Sequence, residues 1–164
     1  MLKGIWDHSE GKLLLPNDRS IYFLPQDAVL LPNLPLLDQL SFPEDWDSSL
    51  MGSEDVASIF SAANISYLVK RAESCGDDQD WRKQLSAGET QKVMLARVLF
   101  HVQHSRGAIR YVVLDECTSN VDEGTEESFY RKLFEVGGDN LGVLSVGHRW
   151  SLRRFHAAVL TVGA

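Results

Sequence analysis

The stretch that decides the fold reads Leu85-Ser86-Ala87-Gly88-Glu89 and continues through an apolar-striped segment to about Phe100. It resumes as Tyr111-Val112-Val113-Leu114-Asp115-Glu116, with Ser119-Asn120-Val121-Asp122 close behind. Ser86 and Glu89 stand at capping-box spacing, an N-cap hydroxyl with a Glu three residues later. Behind them Met94, Leu95, Val98, Leu99 and Val102 recur at the intervals of a half-buried helix. This predicts a helix that starts near Ser86. Its unpaired N–H groups form a small anion site, beside a Gly that lets a ligand come close. An ordinary capped helix has the same pattern, and the capping box alone does not separate the two.

The second half of the stretch shifts the balance. A short apolar run that ends abruptly in Asp115-Glu116 reads as a buried parallel strand, delivering two carboxylates to a sheet edge. One acid in that place is a strand ending in solvent. Two adjacent acids can divide labour: one holds a hydrated Mg²⁺ and the other polarises a water.

Working outward, Ser20 to Leu24 is a short apolar, aromatic run closed by Pro25-Gln26. Leu141 to Val146 is another run, ending at Gly147-His148-Arg149. Ligands of open parallel sheets sit at the carboxyl ends of the strands. If these runs and 111–114 pair in one parallel sheet, Gln26, Asp115, Glu116 and His148 share one edge. A further strand is expected over Ala157 to Val162. Ser53 to about Lys70 reads helical, with Ser53 as N-cap, Glu54 and Asp55 in the first turn, and a second short helix within 64–69. Residues 124–136 form another amphipathic helix, which Gly137-Gly138 stops. Residues 35–84 read as a helical insert on an α/β body.

Composition sets the outer bounds. The 164 residues are one domain, or part of a larger one, and 44% hydrophobic with 24% charged residues is ordinary globular usage. A net charge of −7 counts against a bulk electrostatic nucleic-acid binder, so no nucleic acid is expected as a partner. A local phosphate site is compatible with that charge, because a helix N-terminus works regardless of it. Cys75 and Cys117 have no metal-ligand spacing, and Cys117 reads as a small semi-buried residue. Met1 to Gly11 lacks the apolar core of a secretory signal, and no apolar run approaches a membrane span.

Taken together, Leu-Ser-Ala-Gly-Glu at 85–89, Val-Val-Leu-Asp-Glu at 112–116 and Ser-Asn-Val-Asp at 119–122 resemble the nucleotide-binding domain of ABC ATPases. They are similar to its signature motif, Walker B strand and D-loop, in order and at the usual spacing. The resemblance implies an α/β fold of the P-loop NTPase type: a parallel sheet flanked by helices, with a helical subdomain over about 35–100. Gln26 resembles the Q-loop glutamine and His148 the switch histidine. Leu36 to Pro43, Asp80-Trp81 and Glu89 resemble the peroxisomal fatty-acyl transporter subfamily and its bacterial relatives.

By that resemblance the cofactors are ATP and Mg²⁺. Asp115 and Gln26 would hold the metal, and Glu116 would polarise the attacking water. His148 would orient the γ-phosphate. Ser86, Ala87, Gly88 and Glu89 would contact a nucleotide held by a second nucleotide-binding domain, with Asp122 across that interface. Ala87 replaces the family's usual Gly. The transmembrane domain of a transporter is the other implied partner. The place implied is the cytosolic face of a membrane, peroxisomal or plasma, with a fatty-acyl-type lipid as cargo. Two alternatives stand beside it: a non-catalytic partner that lends its signature face to another subunit's ATP, and a soluble ABC ATPase.

The phosphate-cradling pattern G-x-x-x-x-G-K-[ST] does not occur in this sequence. Its only Gly-Lys pair, Gly11-Lys12, is followed by Leu13 and preceded at the required distance by Trp6. Residues 1–11 resemble the run that follows the P-loop helix, so the chain reads as a partial nucleotide-binding domain over 1–164. The expected outcome is weak ATP binding and negligible turnover by the isolated chain. Equilibrium binding of ATP and phosphate release check it.

Overall fold

The computed structural model describes residues 20–27, 29–50, 53–75 and 79–161. The expected reading of residues 1–11 lies outside them. Three parallel strands form the sheet, in the order β1 (Ile21–Leu24), β2 (Tyr111–Asp115) and β3 (Gly142–Val146). The register pairs Leu24 with Leu114, Leu114 with Ser145, and Asp115 with Val146. All three strands therefore end at one edge, and the loops that leave them start side by side.

Helices fill the connections, as parallel strands require. Between β1 and β2 run α1 (Leu36–Ser41), α2 (Glu54–Ala62), α3 (Ser66–Cys75), α4 (Trp81–Gln84) and α5 (Ala87–His104). Between β2 and β3 runs α6 (Glu123–Gly137). The caps are those the residues dictate. The Ser53 hydroxyl accepts from the Val56 N–H at 3.2 Å to start α2. At α6 the Asp122 carboxylate accepts from the Thr125 N–H at 2.9 Å. Gly138, at φ 60°, ends α6 in the left-handed region.

The long helix α5 is the centre of the molecule. Val93, Leu95, Ala96, Val98 and Leu99 are fully buried, and Met94 and Val102 nearly so. A helix apolar around most of its circumference has neighbours on most sides. Here α1, α2, α6 and β1 all pack against it. Trp81 of α4 and Leu36 and Leu40 of α1 complete the same core. One sheet face joins this core through Leu24, Val112 and Leu114. Tyr130 of α6 reaches it too, donating its hydroxyl to Ser145 Oγ at 2.9 Å.

Two local expectations change. The second short helix begins at Ser66 rather than Asn64, and runs on to Cys75. Asn64, with φ 53°, turns the chain between α2 and α3. The strand expected over 157–162 is absent among its described residues, 157–161. A tight helical turn over Trp150–Phe155 delivers an extended segment that no described strand pairs. A strand needs a ladder partner, and an apolar run alone does not supply one. Leu160 is 88% exposed as a result.

Side chains alternate across a sheet, so the residues between the buried ones point the other way. Among the described residues, Tyr111, Leu144 and Val146 on that second face are largely exposed. Parallel sheets are ordinarily covered on both faces. The expected outcome is that the isolated chain binds an environment-sensitive apolar dye in its native state. Leu144→Lys should cut that fluorescence by about half or more. It should shift stability by no more than about 0.5 kcal/mol, since Leu144 is already about half exposed and a Lys stem can cover the same surface. Fluorescence titration and thermal melting measure the two effects.

Candidate functional site

Asp115 is the last residue of β2 and pairs with Val146. The ladder runs one residue further, where the Glu116 N–H donates to the Val146 carbonyl at 3.0 Å. At Glu116 the backbone turns to φ 45°, a left-handed conformation rare for a residue with a Cβ. Such conformations cost roughly 1–2 kcal/mol and persist where the surroundings dictate them. The turn brings the Glu116 carboxylate between the two neighbouring strand tips. Gln26, two residues past β1, donates from Nε2 to Glu116 Oε2 at 2.9 Å. His148, two residues past β3, lies with Nε2 3.0 Å from Glu116 Oε1. One group from each strand tip thus meets at a single carboxylate.

The structure brings together Gln26, Glu116 and His148, with Asp115 next to them in the chain. His148 is largely in solvent and Glu116 is half-buried, with side chains 87% and 25% exposed. The contact therefore forms at an open edge. It does not bring Ser86, Ala87, Gly88 or Glu89 into this cluster. Among the described residues no hydrogen bond joins those four to Gln26, Glu116 or His148.

The start of α5 is built as its spacing predicts. The Glu89 N–H donates to Ser86 Oγ at 3.2 Å, and Glu89 Oε2 accepts from the Ser86 N–H at 2.9 Å. The Ser86 hydroxyl donates to the same carboxylate oxygen at 2.9 Å, and Tyr67 of α3 donates to Oε1 at 3.1 Å. The Ser86 N–H is the chief reason that the Glu89 carboxyl titrates below its ordinary range.

Asp122 is both an exposed residue of the 119–122 loop and the N-cap of α6. Thr125 holds its carboxyl below the ordinary range, mainly through the hydroxyl, which donates at 2.7 Å. Cys117 is buried, and burial pushes its thiol up to about 12. It is a packing residue and no nucleophile.

Three participants were not singled out from the sequence: Gln91, Glu126 and Arg149. Gln91 and Glu126 are buried polar residues, 3% and 0% exposed. Gln91 sits on the buried face of α5, one turn before Leu95 and two before Val98. A lone amide in an otherwise apolar stripe was the available signal. For Arg149, the position directly after His148 was the only one.

Could a magnesium ion fit? Among the described residues no group of three His, Cys, Asp or Glu side chains can hold a metal by itself. Asp115 and the Gln26 amide offer two hard oxygens at the strand edge. Mg²⁺ keeps several waters and takes phosphate oxygens as ligands, so two protein oxygens suit it.

Gly88 packs its backbone against the 119–122 loop. A Cβ built there would lie 2.7 Å from the Asn120 carbonyl oxygen. Gly88→Ala gains helix propensity of up to about 1 kcal/mol but forces the backbone of the 119–122 loop away. The expected net result is a loss of about 1–2 kcal/mol, read as a lower melting temperature, with faster amide exchange at Asn120 and Val121.

With the geometry in place, comparison with known proteins identifies the lineage. No protein-family model matches the chain. It is 31% identical to an uncharacterized ABC transporter ATP-binding protein of Synechocystis, over 99% of this chain and 23% of that one. It is 35% identical to the human lysosomal cobalamin transporter, over 98% of this chain and 26% of the relative. It is 27% identical to ABC transporter D family member 3 of Dictyostelium discoideum, over 98% of this chain and 21% of the relative. The chain thus spans about a quarter of the length of the curated relatives it matches. Among solved structures, a bacterial Atm1-family ABC exporter with ATP bound superposes with a TM-score of 0.59. That match covers 81% of this chain and 22% of the exporter at 24% identity, a likeness of fold. Along nearly its whole length the chain is thus a homologue of ABC transporter ATP-binding proteins, and the exporter shows the same fold.

Proposed function

We propose that this chain supplies two faces of an ATP-hydrolysing machine: the water-activating edge of one nucleotide site and the phosphate-contacting helix start of another. The observation that carries the reading is the Glu116 carboxylate held between Gln26 and His148, each from a different strand tip. Phosphoryl transfer asks the protein mainly for positioning and charge neutralisation. In this reading Glu116 accepts a proton from a water in line with the γ-phosphate. Gln26 and His148 fix the carboxylate from both sides before the water arrives. His148 then has a ring nitrogen near the transferred phosphoryl oxygens. Asp115 and the Gln26 oxygen would hold Mg²⁺, which neutralises phosphate charge when bound.

Ser86, Ala87, Gly88 and Glu89 serve a different phosphate in this reading. They share no hydrogen bond with the Glu116 cluster, which supports a nucleotide contributed by a second nucleotide-binding domain. Asp122, exposed beside them, would lie on that interface. The transmembrane domain of a transporter, at the cytosolic face of a membrane, is the natural load for such a motor. Cobalamin is the cargo named for the human relative, and fatty-acyl lipid is the cargo implied by the resemblance at 36–43. Neither is assigned to this chain.

The alternative of a non-catalytic partner has one observation in its favour. The start of α5 is complete and exposed without any contribution from the Glu116 edge. The two readings separate by substitution in the full gene product. Glu116→Gln keeps size and hydrogen bonding but removes the base. It should lower kcat by about 100-fold or more while ATP affinity stays within about threefold, as general-base loss predicts. Unchanged turnover in that variant would assign hydrolysis to another chain and leave this one as the lender of the helix start.

A further inference from the structure

Two side chains on different elements grip one short loop. Gln91 of α5 is 3% exposed, and both ends of its amide are spent on the loop that follows β2. Its Nε2 donates to Ser119 Oγ at 2.9 Å, and its Oε1 accepts from the Asn120 N–H at 2.7 Å. The Gly88 backbone lies against the Asn120 carbonyl in the same place.

From the other side comes Arg149, the residue after His148. Its Nη2 donates to the Ser119 carbonyl at 3.0 Å and to the Val121 carbonyl at 2.9 Å. Its Nη1 lies 3.5 Å from Glu126, a carboxylate with no solvent exposure. Ser151 donates to the other Glu126 oxygen at 2.7 Å. A buried carboxylate leaves its cation little freedom, and a guanidinium is a planar, rigid fork.

We infer that Gln91 and Arg149 are positioning residues that lock the 119–121 backbone between the start of α5 and the loop carrying His148. Neither would touch nucleotide. Their effect is that the two phosphate-facing surfaces move as one body. A displacement of His148 passes through the peptide bond to Arg149, then to the Ser119 and Val121 carbonyls, then to Asn120, Gln91 and Gly88. Each link is a backbone bond, a hydrogen bond or a close contact, and none depends on bound ligand. The purpose assigned to the lock rests on the proposed ATP reading, whereas the lock itself does not.

The test has two arms. The first is amide hydrogen exchange on the 164-residue chain without nucleotide. Gln91→Leu removes both loop bonds at similar volume. Arg149→Lys keeps a cation, but its single nitrogen cannot hold Glu126 and the two carbonyls at once, as the two arms of the guanidinium do. Arg154→Gln, an exposed partner of Glu127, is the control. Arg149→Lys should speed exchange about tenfold at Glu89 and Thr90, across the loop from the substitution. Gln91→Leu should do the same at Leu152, whose N–H is bonded to the Arg149 carbonyl, and the control should change neither. Acceleration confined to residues touching the replaced side chain would overturn the proposal. If Gln91→Leu does not fold, Gln91→Glu, which loses only the donor, is read by the same criterion.

The second arm is steady-state ATP turnover by the full gene product. Both variants should lower kcat about tenfold with the KM for ATP within about twofold, counted per folded molecule. Wild-type kcat per folded molecule would sink the coupling. Absence of turnover in the unsubstituted protein would instead sink the ATP reading, and the exchange arm would still decide the lock.

Discussion

The hydrogen bond from the Glu116 N–H to the Val146 carbonyl is the constraint on which the site depends. It extends the β2–β3 ladder one residue past the end of β2, and so fixes where the chain leaves the sheet. The backbone then turns at once into the left-handed region. Without that last rung the carboxylate of Glu116 would follow the strand outward. With it, the side chain lies across the strand tips, where neighbours are spaced by ~5 Å, the ordinary distance between strands. Gln26 and His148 each stand two residues past their own strand ends and close on it from either side. Sheet geometry alone therefore supplies most of the positioning.

The second organising element is α5, which has two duties. Its middle is the core of the molecule, and its first turn is the proposed phosphate-contacting surface. Gly88 and Gln91 join the two duties, because they face the 119–122 loop from the first and second turns. The loop cannot shift without disturbing the start of α5, and α5 cannot shift without disturbing the core.

Much of this was legible from residue order. Ser86 and Glu89 announced the start of α5 through three-residue spacing, which is a local rule. The apolar runs at 20–24, 111–114 and 141–146 announced three strands, and the polar residues that follow them announced a common edge. What was not legible is long-range. Gln91 and Ser119 lie 28 positions apart, and Arg149 and Ser119 lie 30 apart. Their pairing follows from how α5 and α6 pack, not from any spacing. The left-handed backbone at Glu116 was hidden too, since nothing about a glutamate advertises it. The apolar run at 157–161 misled because strand propensity says nothing about whether a neighbour is there to pair.

The capping box at the head of α5 carries a consequence of its own. Glu89 places a carboxylate over the positive pole of its helix, where the Ser86 hydroxyl and N–H both hold it. That pole is thus tenanted by an internal anion before any phosphate arrives. A phosphate drawn to the Ser86 hydroxyl would share it with Glu89 or displace the carboxylate, and displacement would break the Tyr67 contact as well. The helix head thus has two parts: the Ser86 hydroxyl and N–H, held by its own carboxylate, and the N–H groups of Ala87 and Gly88 beyond that carboxylate's reach.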